Sequence, residues 1–182
     1  MKTLKVSSAS AAFLLCLALS AIPTAVYGAE MQRSLDWLLG QQHENGSWYG
    51  RDPSLATRDS SEVLATLADI VGTGSAPYVR GARFMRGVKA HDTDTLARKL
   101  VVGHSIGAVN PEEEAQLSSV RTATGGYAVA KGWRSAETHD ILLGLRYLAA
   151  IGSPLAEATA KQLAAVQNND GSFGPASHLN PP

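Results

Sequence analysis

Acidic side chains and one histidine are the residues of this chain whose types and spacing suit acid–base or ligand-binding chemistry. Carboxyl groups held close together raise the pKa of one of them, which can then donate a proton. An imidazole beside carboxylates can bind a ligand or a metal ion. The candidates for acid catalysis are Asp59, Asp92 and Asp94, and the candidates for ligand binding are Glu137, His139 and Asp140.

These candidates stand at the starts of predicted helices. Ser, Thr and Asp begin helices because their side-chain oxygens accept the unpaired first backbone N–H groups, and glycine ends helices by adopting a left-handed dihedral. Asp92 or Thr93 is expected to cap one helix, with Asp94 in its first turn, and we favour this role over acid catalysis. The three predicted helices span 59–67, 93–102 and 135–145, and they end at Gly72, Gly103 and Gly152.

A motif of glutamine, glycine and an aromatic residue is repeated along the chain. Near each end of the chain the motif follows an apolar helical segment, and a third copy of its glycine-aromatic turn lies between the two. In that middle copy Val120 and Arg121 stand where glutamine is expected, and a degenerate unit with 78–85 as its outer helix fills the first interval. The repeat residues are Gln41, Gln42, Gly46 and Trp48, then Gly126 and Tyr127, then Gln167, Gly171 and Phe173.

This motif resembles the glutamine-tryptophan repeat of squalene and hopene cyclases, which protein prenyltransferase β-subunits and complement thioester domains share in looser form. The resemblance implies an α/α toroid in which the glutamine bonds to a neighbouring helix end and stacks on the aromatic ring. We expect the aromatic of each copy, Phe173 included, to bury area against the next repeat. We therefore predict an all-α fold over residues 30–176, a partial toroid of three to four helical hairpins, followed by a Pro-rich tail or truncation point at 177–182. A closed toroid of about six hairpins needs more chain, so self-association or missing C-terminal repeats are expected.

The chemistry of these relatives needs residues that this chain lacks. Cyclases of the hopene type use an Asp-x-Asp-Asp run, of which Asp92 and Asp94 supply only two acids. The prenyltransferase zinc set and the complement thioester both need a cysteine, and the only cysteine, Cys16, precedes the predicted mature chain. We therefore predict no metal, no cofactor and a scaffold or binding module without its own catalysis. The alternative is a fragment or divergent member of a terpenoid-cyclase-like or polysaccharide-acting toroid enzyme.

A serine hydrolase is the other alternative. The segment 103–107 matches the Gly-x-Ser-x-Gly elbow of α/β-hydrolases around Ser105, and Asp140 and His178 follow in the order of that family's triad. The elbow requires a buried strand immediately before it, and only three apolar residues, 100–102, precede it.

The N-terminus predicts export. Lys2 and Lys5 precede an apolar run over 11–22, and small residues at Gly28 and Ala29 suit cleavage, so residues 1–29 read as a signal peptide of a secreted or periplasmic protein. The mature chain would carry 14 basic and 16 acidic residues, a balance that does not favour nucleic acid. No segment is apolar enough to span a membrane. The expected partner is a ligand or protein of unknown identity.

Overall fold

Seven α-helices make up the part of the chain that the computed structural model describes, residues 24–131 and 137–173. They are α1 (Thr24–Gly40), α2 (Ala56–Ile70), α3 (Ala76–Gly87), α4 (Thr93–Ser105), α5 (Pro111–Ser119), α6 (Thr138–Ala150) and α7 (Leu155–Ala165), with a 3₁₀ turn at Pro53–Leu55. Extended pairing within these ranges is limited to two isolated bridges, Arg121 with Tyr127 and Gln167 with Phe173. The predicted all-α class is therefore confirmed.

Several predictions fall on residues outside the described ranges. These are most of the predicted signal peptide with Cys16, the first two residues of the predicted 135–145 helix, His178, and the 177–182 tail.

The chain divides into two compact units, residues 1–41 and 42–182. The first unit contains α1, whose Gln32 side chain donates to Asp36 one turn later, at 2.8 Å. Gln41, predicted as a repeat residue, closes this unit with a backbone N–H donated to the Leu38 carbonyl. The second unit contains α2 to α7 and every candidate site residue.

Helix boundaries in the second unit follow the capping signals closely. The Asp92 carboxylate accepts a hydrogen bond from the Thr95 N–H at 2.7 Å, so Asp92 caps α4 as predicted. Gly72 and Gly152 take positive φ values of +79° and +63° after α2 and α6. The predicted end at Gly103 is wrong, because α4 continues to Ser105 and the positive φ falls at Gly107.

Helix α4 is the centre of the second unit. It packs against α2 on one side and α6 on the other, and it also contacts α3 and α5. Helix α3 packs on α2, and α7 packs on α6. The described helices therefore alternate between a row of α2, α4 and α6 and the helices packed against that row. The core between α4, α5 and α6 consists of Leu96, Ala97, Leu100, Leu117, Val120, Tyr127, Leu143, Tyr147 and Leu148.

The three repeat loops share one hydrogen-bond pattern. In the first loop the His43 N–H donates to the Ser47 carbonyl and the Gly46 N–H donates back to His43, both at 2.9 Å. The second and third loops repeat these two bonds from Thr122 and Asn168. The residue that takes the left-handed conformation is Gly46, Gly125 and Gly171 in turn, with φ of +90°, +92° and +83°. Gly125 is therefore the equivalent of Gly46 and Gly171, and the predicted repeat residue Gly126 follows it.

The aromatic residue five positions into each loop is buried in two of the three copies. Trp48 and Tyr127 are each 2% exposed. A Cβ on Gly81 of α3 would lie 2.6 Å from the Trp48 ring, and a Cβ on Gly144 of α6 would lie 2.3 Å from the Tyr127 ring. Only glycine allows these rings to lie so close to the helix backbone. The prediction that the third aromatic is also packed is wrong, because Phe173 is 49% exposed.

The glutamine connection is complete only in the first loop. The Gln42 amide donates to the carbonyls of Gly46 and Pro77, each at 2.9 Å, and its oxygen accepts from Arg80 on α3. Gln167 donates to Gly171 at 2.8 Å within its own loop. Arg121 takes the equivalent position in the middle copy. The first loop is thus bonded to the start of the next outer helix, as the resemblance implied.

Candidate functional site

A network of charged side chains connects α2, α4 and α6. Its centre is Arg98 of α4, which is 5% exposed. The Arg98 guanidinium donates to Asp94 one turn earlier on α4, and to the Glu62 carboxylate and the Ser61 hydroxyl of α2. Arg146 of α6 donates to the same Glu62 oxygen at 3.0 Å. The buried Arg98 guanidinium thus joins α4 to α2, and the Glu62 carboxylate that it shares with Arg146 joins α2 to α6.

The network is balanced in charge and open to solvent at its edges. The side chains of Glu62, Asp94 and Arg146 are 50%, 37% and 38% exposed. Burial would raise the pKa of Glu62, but the hydrogen bonds from Arg98 and Arg146 outweigh that effect and hold it below the ordinary value. A cavity of about 10 Å³ beside Ser61 and Arg98 has room for about one water molecule. The network therefore presents a charged surface and does not enclose a small-molecule pocket.

His139 and Asp140, in the first turn of α6, extend this network. The His139 Nε2 lies 3.7 Å from the second oxygen of Asp94. Asp140 is 5% exposed, and burial raises its pKa from 3.8 to about 6. The carboxylates of Asp94, Asp92 and Glu137 contribute to this rise, while His139 opposes it. Asp140 therefore stays protonated up to a higher pH than an ordinary aspartate does.

The structure brings five of the six predicted candidates together. Asp92, Asp94, Glu137 and His139 all act on the pKa of Asp140. Asp92 is committed to capping α4, and Asp94 to its ion pair with Arg98. Glu137 is the N-cap residue of α6, although its side chain makes no capping hydrogen bond. Asp59 instead contacts its neighbour Arg58, at 3.3 Å, in the first turn of α2.

Sequence reasoning missed the basic half of this site. The missed residues are the arginines Arg98 and Arg146. The α2 residues that they contact, Ser61 and Glu62, were missed as well. Arg98 follows Asp94 by four positions, a spacing at which opposite charges on a helix meet, so this pair carried a local signal. Glu62 and Arg146 are 84 positions apart, and only the packing of the three helices brings them together.

Metal binding finds no support in the geometry. Among the described residues, no group of three or more His, Cys, Asp and Glu side chains is arranged to hold a metal ion. No helix within those residues has the length and apolar character needed to cross a bilayer.

Ser105 does not lie in a nucleophile elbow. It is the last residue of α4, and its hydroxyl donates to the Val102 carbonyl at 2.7 Å and pairs with the Tyr78 hydroxyl. The apolar residues 100–102 before it are helical, although the elbow requires them to form a strand. The Gly-x-Ser-x-Gly match at 103–107 is therefore a helix terminus, and the strand expected under the hydrolase alternative is wrong.

Comparison of the chain with models of known protein families and with curated proteins finds no significant match.

Proposed function

We propose that this chain is an exported helical-repeat module of the α/α-toroid type that binds a polar ligand without converting it. Its ligand would contact the charged face, which we define as Glu62, Asp94, Arg98, His139 and Arg146. The observation that carries the proposal is the ion network that crosses α2, α4 and α6, because a surface drawn from three successive repeats is how repeat proteins build binding sites.

The repeat architecture supports the toroid part of the proposal. The same two backbone hydrogen bonds and the same left-handed glycine recur in all three loops. The alternation of α2, α4 and α6 with the helices packed on them is the arrangement that an arc of hairpins requires. Export is supported by the basic, apolar and small residues of the first 29 positions.

The absence of catalysis in this proposal is supported by how the acids are used. The Asp92 carboxylate accepts a hydrogen bond from the Thr95 N–H, and the Asp94 carboxylate forms an ion pair with Arg98. Both carboxylates therefore have structural roles, and these roles account for their positions without any part in catalysis.

Asp140 favours a second candidate function, a toroid enzyme that uses general-acid catalysis. Its pKa of about 6 would leave a substantial protonated fraction near neutral pH, which is the property a general acid needs. Its burial would require the substrate to reach it through the surface around His139.

Titration with three defined oligosaccharides tests the two candidates together. The probes are an acidic oligogalacturonate, a basic chitosan oligomer and a neutral cello-oligomer, followed through the side-chain N–H signals of Arg98 and Arg146. We expect one charged probe to shift these signals without forming product, and Arg146→Gln to weaken its binding. Product formation that Asp140→Asn abolishes would establish the enzyme instead. If no probe shifts either arginine, the binding proposal fails for charged and neutral glycans.

Determining the N-terminal residue of the exported protein tests the export proposal separately. Cleavage should leave Ala29 or Glu30 as the first residue, whereas a chain that retains Met1 would contradict it.

A further inference from the structure

The middle repeat loop borders a cavity that none of the six predicted site candidates lines. Its volume is about 530 Å³, within the range of roughly 300 to 1,000 Å³ that small-molecule sites occupy. The cavity lies between the end of α5, the last turns of α6 and the start of α7. Its apolar lining includes Leu117, Leu148, Ile151 and Leu155. It shares none of its lining with the charged face.

Arg121 supplies the polar end of this cavity. Its Nε is buried and meets no hydrogen-bond acceptor within the described part of the chain. No Asp or Glu carboxylate among the described residues pairs with its guanidinium, in contrast to Arg98 and Arg146, which share Glu62. A partly buried guanidinium that lacks a counter-charge is costly, and an anion at the cavity would remove that cost.

The middle loop differs from the first loop at the position of the glutamine. In the first loop Gln42 reaches the Pro77 carbonyl at the start of α3 and holds the loop against the next outer helix. In the middle loop Arg121 stands in the same position, and the start of α7, Ser153 to Leu155, lines the cavity on the opposite side. The middle loop is still attached to α7, because the Thr159 hydroxyl donates to the Gly125 carbonyl at 3.0 Å, and Arg121 stands beside the cavity at the position where the first loop has Gln42.

The geometry points to Arg121 and this cavity as a binding site for a small carboxylate with an apolar tail. The guanidinium fork matches the two oxygens of a carboxylate, and the leucine and isoleucine side chains match the tail. Tyr127 lies at the same end, where burial raises the pKa of its hydroxyl, while the charge of Arg121 and the side-chain hydrogen bond between the two residues oppose the rise. The phenol therefore stays neutral at physiological pH and adds no charge that would repel the anion.

Glu114 sets the orientation of the ligand. Its carboxylate accepts a hydrogen bond from the Tyr147 hydroxyl, and both residues line the cavity. A ligand carboxylate would be repelled by Glu114 and attracted by Arg121, so it lies at the Arg121 end. Glu114→Gln is accordingly expected to strengthen binding of a carboxylate.

Three probes of matched length test the assignment: hexanoate, hexan-1-ol and hexylamine. Binding to the full mature chain is followed by NMR shifts of the Leu148 and Ile151 methyl groups. We expect hexanoate to bind at least about tenfold more tightly than either control, since a hydrogen bond to a charged group carries that much discrimination. Equal shifts from all three probes, or none from hexanoate at millimolar concentration, would overturn the proposal.

Matched variants distinguish the contribution of the Arg121 charge to binding from that of the apolar cavity. Arg121→Gln places in the middle loop the residue found in the other two, so it should fold, and it should lower hexanoate affinity by about tenfold while leaving hexanol unchanged. Leu155→Trp should fill the cavity and abolish binding of every probe. Arg83→Gln, an exposed arginine on α3, is the control and should change nothing. Unchanged hexanoate affinity in Arg121→Gln, with circular dichroism showing a folded protein, would refute the role of the guanidinium.

Discussion

Replacing Asp140 with asparagine should stabilise the protein at neutral pH and leave it unchanged in acid. Asp140 is 5% exposed and surrounded by three other carboxylates, and its pKa rises from 3.8 to about 6. Between those two pH values the folded protein binds a proton that the unfolded chain has released. The free energy of unfolding of the wild-type protein therefore falls as pH rises from about 4 to about 6 and then levels off.

The magnitude follows from the size of the pKa change. A change from 3.8 to about 6 corresponds to roughly 3 kcal/mol, because each pKa unit is equivalent to about 1.4 kcal/mol. Asparagine keeps the size of the side chain and removes the charge that burial penalises. Asp140→Asn should thus gain roughly 2 to 3 kcal/mol over the wild-type protein at about pH 7, and close to nothing at about pH 4.

Urea unfolding followed by circular dichroism at these two pH values measures the difference. The wild-type curve alone would not isolate Asp140 from the other titratable groups of the protein, whereas the difference between the two proteins does. Glu157→Gln, an exposed carboxyl group on α7, serves as the control and should show no pH-dependent gain. A loss of stability in Asp140→Asn at neutral pH would refute the reasoning, because it would mean that the buried carboxylate is stabilised by its surroundings.

Four further substitutions test the ring packing, the charged network and the glutamine connection. Gly144→Ala should destabilise the protein by about 1 to 3 kcal/mol in thermal unfolding, because its Cβ would lie 2.3 Å from the Tyr127 ring. Arg98→Ala should cost roughly 2 to 4 kcal/mol, because it leaves the partly buried carboxylates of two helices without their shared partner. Gln42→Ala should cost about 1 to 2 kcal/mol in urea unfolding, and Gln167→Ala clearly less, because Gln167 bonds only within its own exposed loop.

Matched controls make these outcomes decisive. Gly87→Ala at the end of α3 should cost nothing, because a Cβ there meets no atom within 4 Å. Arg83→Ala on the exposed side of the same helix should change stability by less than about 0.5 kcal/mol. If Gly144→Ala behaves like Gly87→Ala, the Tyr127 ring does not lie against α6. If Gln42 and Gln167 cost the same, the bond from Gln42 to α3 contributes nothing.

The sequence was most informative where structure is decided locally. The Asp92 cap and the helix ends at Gly72 and Gly152 depend on neighbouring residues alone, and all three were predicted correctly. The predicted helix end at Gly103 was wrong because this glycine is required by a packing contact and not by a helix terminus. It lies inside α4, where a Cβ would come within 3.0 Å of the Ala108 carbonyl, so the glycine serves a close approach and not a helix end.

The candidate site was predicted only where its residues are neighbours in the sequence. Glu137, His139 and Asp140 are consecutive or nearly so, and their grouping is visible in the sequence. The arginines that complete the site acquire their partners only when α2, α4 and α6 lie side by side. The packing of Phe173 was predicted from its likeness to Trp48, but a ring is buried only where a following helix covers it, as α3 covers Trp48 at Gly81.

Nuclear Overhauser effects between the aromatic rings and the glycines of the helices they meet test the central claim most directly. Each buried ring of a repeat loop packs against a glycine, Gly81 of α3 or Gly144 of α6, and these contacts stabilise the helix packing on which the charged face depends. Cross-peaks should connect the Tyr127 ring to the Gly144 Hα protons and the Trp48 ring to those of Gly81. Rings that show no such cross-peaks and exchange with solvent would contradict both the repeat fold and the site built on it.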